Sequence, residues 1–263
     1  MRILFIGDVI GEPGRRLLQR HLDPIVDREH IDFVVANAEN AAGGFGVTPE
    51  VAEQLFGLGI HCLTSGNHIW DKKEIFDYLD ATPALLRPLN YPATTPGRGV
   101  FVGETAGGVP VAVMNVMGRV FMPPVDDPFR RVEEELTALG RRARVIVVDM
   151  HAEATSEKMA MGWALAGRVS MVVGTHSHVP TADERVLTGG TAYQTDVGMT
   201  GPYDSVIGVV KEDILHRFRT GLPTRFRTAR GGGELRAAVV DVEEDSGRAT
   251  AIRRLTILED TPA

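Results

Sequence analysis

Short apolar runs alternate with amphipathic stretches along most of this chain. Residues 3–6, 33–36, 60–63, 111–116, 145–148 and 171–173 are such runs, dominated by Ile, Val, Leu and Phe. Each is strand-length, and near-continuous apolar runs are what strands buried on both faces of a largely parallel sheet require. Between them, Leu17, Leu18, Leu22, Ile25 and Val26 recur at helical intervals and predict a helix over about residues 13–28. A second helix should begin at Thr48-Pro49-Glu50, with Thr48 as cap and Pro49 in the first helical position, and end near 57–59. Further helices are expected over roughly 71–79, 128–139 and 212–219. Residues 82–110 are rich in Pro and Gly and read as loops and short strands near a sheet edge. Strands are also expected near 191–195 and 205–210, and the alternating tail predicts antiparallel strands at 234–242 and 249–257. So many strands exceed one small sheet. The expected fold is α/β, two packed sheets flanked by helices, in one domain over residues 1–263.

Polar residues sit where the apolar runs stop. Asp8 follows the first run, Glu39 and Asn40 the second, Asn67 and His68 the third, His151 the run at 145–148, and His176 and His178 the run at 171–173. Ligands of α/β sheets gather at the carboxyl ends of the strands, so five separate segments could deliver oxygen and nitrogen donors to one place. Taken singly, Asp8 could cap the helix that follows it, and Asn-His or His-x-His could be a turn. Their shared position favours a site. His21, His30, His61 and His216 lie on helices or inside a strand and read as structural or solvated. Gly43-Gly44-Phe45-Gly46 reads as a turn; the alternative is a mobile lid in which Phe45 stacks on a base.

Donor chemistry narrows the choice of cation. Three histidines argue against magnesium or calcium, which take oxygen shells. Without thiolates there is no case for copper(I), an iron–sulfur cluster or a zinc finger. Imidazole, carboxylate and amide together suit iron, manganese, zinc, cobalt or nickel. Seven donors (Asp8, Glu39, Asn40, Asn67, His151, His176 and His178) exceed one tetrahedral site and would fill two, with Glu39 bridging through its two oxygens. Of the seven only Asp8 and Glu39 are anionic, so two cations would stay net positive and attract a phosphate ester. His68 directly follows a proposed ligand and is set apart as a general acid, or as a stabiliser of charge on the phosphoryl oxygens.

Bulk properties limit the partners. The formal charge of −7 implies no basic face and argues against duplex nucleic acid. Cys62 is the only cysteine, which rules out an intrachain disulfide and fits a reducing, cytoplasmic setting. The first apolar run breaks at Gly7-Asp8, too soon for a signal peptide, and no run is long enough to span a membrane.

Gly66-Asn67-His68 and Gly174-Thr175-His176-Ser177-His178 resemble the GNH and GHxH motifs of calcineurin-like metallophosphoesterases. Two departures stand out. The first strand carries Asp8-Val9-Ile10 in place of Asp-x-His, and Ala38-Glu39-Asn40 replaces the usual Gly-Asp block. Both match one branch, the YmdB-type family of bacterial 2′,3′-cyclic-nucleotide phosphodiesterases. Further matching blocks lie at residues 7–11, 37–44, 66–70, 151–158, 176–183 and 195–202. The resemblance implies a four-layer α/β/β/α sandwich, a dinuclear centre commonly of iron, and homo-oligomers. It implies Asp8, Glu39, Asn40 and His178 on one metal, Glu39, Asn67, His151 and His176 on the other, and His68 as proton donor. The expected activity is attack of a metal-bridging hydroxide on a 2′,3′-cyclic nucleotide or an RNA-end phosphodiester. The alternatives are a phosphomonoesterase or nucleotidase with the same centre, and a regulator that uses metal only to hold a nucleotide or RNA.

Overall fold

The computed structural model describes residues 1–259. Its strands are β1 (Arg2–Ile6), β2 (Asp8–Val9), β3 (Phe33–Asn37), β4 (Cys62–Thr64), β5 (Val100–Glu104), β6 (Pro110–Met117), β7 (Val145–His151), β8 (Met171–Thr175), β9 (Arg185–Leu187), β10 (Thr191–Gln194), β11 (Met199–Pro202), β12 (Gly233–Val242) and β13 (Ala249–Leu258). The helices are α1 (Gly11–Glu29), α2 (Pro49–Phe56), α3 (Ile75–Ala81), α4 (Pro128–Leu139), α5 (Thr155–Ala164) and α6 (Lys211–Thr220). One mixed sheet runs β2-β11-β12-β1-β3-β4, with β13 added beside β12; the other runs β5-β6-β7-β8-β10-β9.

Pleat parity explains how one apolar run serves two cores, because successive side chains of a strand point to opposite faces. In β1, Ile3 and Phe5 enter the core between the sheets, while Leu4 and Ile6 face α1 and α2. In β7, Val145 and Val147 enter the same central core, and Ile146 and Val148 turn to the layer of α4 and α5. The result is helix, sheet, sheet, helix. Within the two sheets, β1, β3 and β4 are parallel, as are β6, β7, β8 and β10, so their carboxyl ends come out along common edges.

Thr48 caps α2 as its sequence predicts, accepting from the Val51 N–H at 3.2 Å. Elsewhere the structure departs from the pattern. Residues 205–210 form no strand: they turn tightly through Ile207 (φ 49°) and Gly208 (φ 96°), held by an isolated Val206–Val209 bridge. Their apolar character comes from lining a cavity. The helix expected over 71–79 divides into a 3-10 turn, Asn67–Asp71, and α3. Helix α5 escapes the periodicity because its apolar residues lie on several faces; Met161 is buried, whereas Trp163 is exposed. Among the described residues no helix is long and apolar enough to cross a membrane.

Candidate metal centre

The two sheets deliver the polar strand ends to one place. Asp8 opens β2, Glu39 and Asn40 follow β3, Asn67 and His68 sit on the 3-10 turn after β4, His151 ends β7, and His176 and His178 follow β8. Two overlapping donor groups result: Glu39, His151 and His176, and Asp8, Glu39 and His178, with the donor atoms of each group within 4.8 Å of one another. Glu39 belongs to both. Its Oε1 lies 3.2 Å from His151 Nε2 and 3.2 Å from Asn40 Nδ2. His151 Nε2 is in turn 3.3 Å from Asn67 Oδ1 and 3.0 Å from His176 Nδ1. On the other side, His178 Nε2 is 3.2 Å from Asn40 Nδ2 and 3.9 Å from Asp8 Oδ1. The reading of Asp8 as a helix cap fails, since α1 is capped by Ile10 without a side-chain bond.

These residues fit cations better than they fit one another. Asp8 Oδ1 and Asn40 Oδ1 are buried with no hydrogen-bond partner, a costly state that a cation would relieve. Burial pushes the Asp8 carboxyl up to about 7, against the pull of His178 and His151. Burial also works against charge on Glu39, but the adjoining His151 ring holds its carboxyl down at about 2. His151 itself resists burial through Glu39 and rises to about 9. Burial, then His151, push His176 down to about 3, leaving a neutral imidazole. Glu39 and His151 thus favour each other's charged forms across 3.2 Å, and a cation would compete for the same lone pairs. The His151 tautomer is already arranged: Thr175 Oγ1 donates to Asp149 Oδ1 at 2.7 Å and so accepts from His151 Nδ1–H at 2.9 Å, leaving Nε2 to face Glu39.

The His-Ser-His turn is held under strain. His176 (φ 93°) and His178 (φ 64°) are both left-handed, a cost on the order of 1–3 kcal/mol each. Several bonds oppose it. Asp8 Oδ2 accepts from the His176 N–H at 3.2 Å, and Asp196 Oδ2 accepts from the Ser177 N–H at 3.2 Å and hydroxyl at 2.8 Å. Lys158 Nζ, buried, donates to the same Asp196 oxygen at 2.6 Å, and Gly198 N–H to the other at 2.8 Å. Asp196 thereby ties Ser177, between the two left-handed histidines, to Lys158 and Gly198. Sequence reasoning gave Asp149 and Lys158 no role, and gave the segment 195–202, which holds Asp196, none beyond a tight turn supporting the site. The signal was present in the first: a carboxylate inside the run Val147-Val148-Asp149-Met150 has to be paid for by partners, and here Thr64, Asn37 and Thr175 supply them.

Gly66 packs directly against the centre. A Cβ there would lie 2.1 Å from His151 Nε2 and 2.5 Å from Glu39 Oε2. Its φ of −154° is not left-handed, so the contact with His151 and Glu39 is the constraint that stands out. Gly66→Ala is therefore expected to keep the sheets, seen by circular dichroism, and to lose the ability to bind transition metal, seen by elemental analysis. Wild-type metal content in that variant would refute the tight fit.

The centre opens into a cavity of about 290 Å³. Its lining combines the polar Glu39, Asn40, His68, His176 and His178 with the apolar Phe45, Ile207, Val209, Ile214 and Phe226. Phe45 stands on a turn with Gly43, Gly44 and Gly46 all at positive φ, and meets the His68 ring edge-on at 5.1 Å. His68 Nδ1 lies 2.9 Å from Asp71 Oδ2, while its backbone N–H donates to Glu39 Oε2 at 3.1 Å. Two of the other histidines serve the frame, His61 Nδ1 accepting from the Val34 N–H and His21 pairing with Glu259, while His30 and His216 are exposed.

Two mixed sheets between helices, with such donors at their carboxyl edges, define a metallophosphoesterase-type hydrolase. The chain belongs to the YmdB-like protein family, whose sequence profile matches residues 4–255. It is 48% identical over 260 residues to the 2′,3′-cyclic-nucleotide 2′-phosphodiesterase of Bacillus subtilis (strain 168), covering 99% of this chain and 98% of that protein. A crystal structure of a novel phosphatase from Mycoplasma pneumoniae superposes with a TM-score of 0.93 at 33% identity, over 100% of this chain and 95% of that one. A hypothetical protein from Thermus thermophilus gives 0.92 at 47% identity, over 98% and 100%.

Proposed function

We propose that this enzyme opens the cyclic phosphodiester of 2′,3′-cyclic nucleotides at a two-cation centre. The observation that carries the reading is the pair of donor groups sharing Glu39 at the floor of a cavity with an aromatic wall. Asp8, Glu39, Asn40 and His178 would hold one ion, and Glu39, Asn67, His151 and His176 the other, with iron the first choice and manganese or zinc next. Bound there, the ions would neutralise phosphate charge and acidify a water. The chain's own residues do the rest. Asp71 engages His68 Nδ1, which leaves the other ring nitrogen to deliver a proton. The water oxygen bonds to phosphorus, one ribose ester bond breaks, and the departing ribose oxygen takes that proton, yielding a nucleoside monophosphate. Phe45 and Phe226 offer flat apolar surface to the nucleoside. The named activity of the Bacillus relative supports this substrate. A lone, buried Cys62 supports a cytoplasmic setting, and exposed Phe121 and Phe218 support a homo-oligomer.

The test is side-by-side turnover of 2′,3′-cyclic AMP, a bis-aryl phosphodiester and 5′-AMP by metal-replete protein. Both diesters should be hydrolysed, and 5′-AMP should be the poorest of the three. Failure on both diesters would sink the proposal, and preference for 5′-AMP would replace it with a nucleotidase.

A further inference from the structure

The net charge of −7 conceals a segment of opposite sign. Between residues 214 and 230 stand Arg217, Arg219, Arg225, Arg227 and Arg230, with no Asp or Glu among them. The end of this segment runs beside the metal cavity and divides its side chains by alternation. Phe226 and Thr228 line the cavity, while Arg225 and Arg227 are exposed. Beyond Thr228 lies a second groove, of about 680 Å³, which Thr228 and Gly43 border and into which Arg16, Arg227 and Arg230 project beside Glu12. Thr228 Oγ1 donates to the Gly43 carbonyl at 3.0 Å, joining the basic segment to the turn that carries Phe45. The groove and the cavity therefore share one wall.

Two features give the groove a chemical preference. Arg227 is neutralised by Asp213, through bonds of 2.9 and 2.6 Å, but among the described residues the other two arginines of the groove, Arg16 and Arg230, form no ion pair. Guanidinium groups left free along a groove are suited to successive phosphates. The aromatic residues fall on the cavity side, where a terminal base would stack, and basic groove plus stacking surface is how single strands are held. A mononucleotide carries one phosphate, which the metal centre itself would take, and so leaves this positive charge unused.

We infer that the preferred substrate is the 2′,3′-cyclic phosphate at the 3′ end of a single-stranded RNA, with the preceding phosphates lying in the Arg16–Arg230 groove. This inference rests on the phosphodiesterase reading above and adds the polymer. RNA is specified over DNA by chemistry, since the cyclic ester needs the 2′-hydroxyl.

The experiment compares 2′,3′-cyclic AMP with a six-nucleotide RNA ending in adenosine 2′,3′-cyclic phosphate, for the wild type and for Arg16→Glu/Arg230→Glu, at low and moderate salt. The wild type should favour the oligonucleotide in kcat/KM by about tenfold or more at low salt, with the advantage shrinking as salt rises. The double variant should lose that advantage and keep its rate on 2′,3′-cyclic AMP. Equal use of both substrates by the wild type, or an equal loss on both in the folded variant, overturns the inference and leaves the phosphodiesterase reading standing. Wild-type protein inert toward both sinks that reading and this one together. Should the variant fail to fold, the wild-type ratio and its salt dependence decide alone.

Discussion

Glu39→Gln is expected to lose bound metal and hydrolysis together while the fold survives. The exchange keeps the size of the side chain and replaces the one carboxylate common to both donor groups. Its Oε1 faces His151 and Asn40, and its Oε2 accepts from the His68 backbone, so both oxygens are already engaged in positioning other members of the site. A glutamine would present an NH₂ to one of those positions and remove one of only two anions among the seven donors. Substituting residues that merely support metal ligands commonly costs about 10–100-fold in affinity, and a shared ligand should cost more. In the metal-free protein the substitution also frees His151 from its buried anionic partner, so its raised pKa should fall. Elemental analysis after dialysis, alongside circular dichroism and diester turnover, reads all of this. Retention of wild-type metal content would show that Glu39 does not bridge.

His68→Ala should separate what Glu39→Gln removes together. The only bond from His68 to the donor groups is its backbone N–H to Glu39 Oε2, which alanine retains. Its ring instead reaches Asp71, Phe45 and the cavity. Metal content should therefore stay near wild type, while turnover of 2′,3′-cyclic AMP falls by about 10²–10⁴-fold, the range for a lost general acid. A diester with a good aryl leaving group needs no proton and should be affected much less. Full turnover of 2′,3′-cyclic AMP by the variant would remove His68 from the acid role.

Much of this architecture was legible in the sequence. Runs such as residues 33–36 and 145–148 predict strands buried on both faces, and pleat parity sends Phe33 and Val35 to the central core, Val34 and Ala36 to the helix layer. Helices with one apolar stripe and explicit caps, such as α2 and α4, were equally readable. Where local pattern misled, a tertiary role explains the residues. Ile207 and Val209 are apolar because they wall the cavity, not because they form a strand.

The chain's own order of residues was enough to specify strand-end donors, their chemical types and the α/β class, because side-chain period and donor identity are local properties. It could not specify which donors meet. Glu39 and His151 are 112 positions apart and come from different sheets; only the packing of those sheets brings them to 3.2 Å. Nor could it reveal the left-handed strain of His176 and His178, or the buried Lys158–Asp196 pair beneath Ser177, since each depends on partners distant in sequence. The same holds for the basic groove. Net charge is a sum over the chain, whereas binding responds to where charges stand, and only the tertiary structure sets Arg16 beside Arg230 at the edge of the metal cavity.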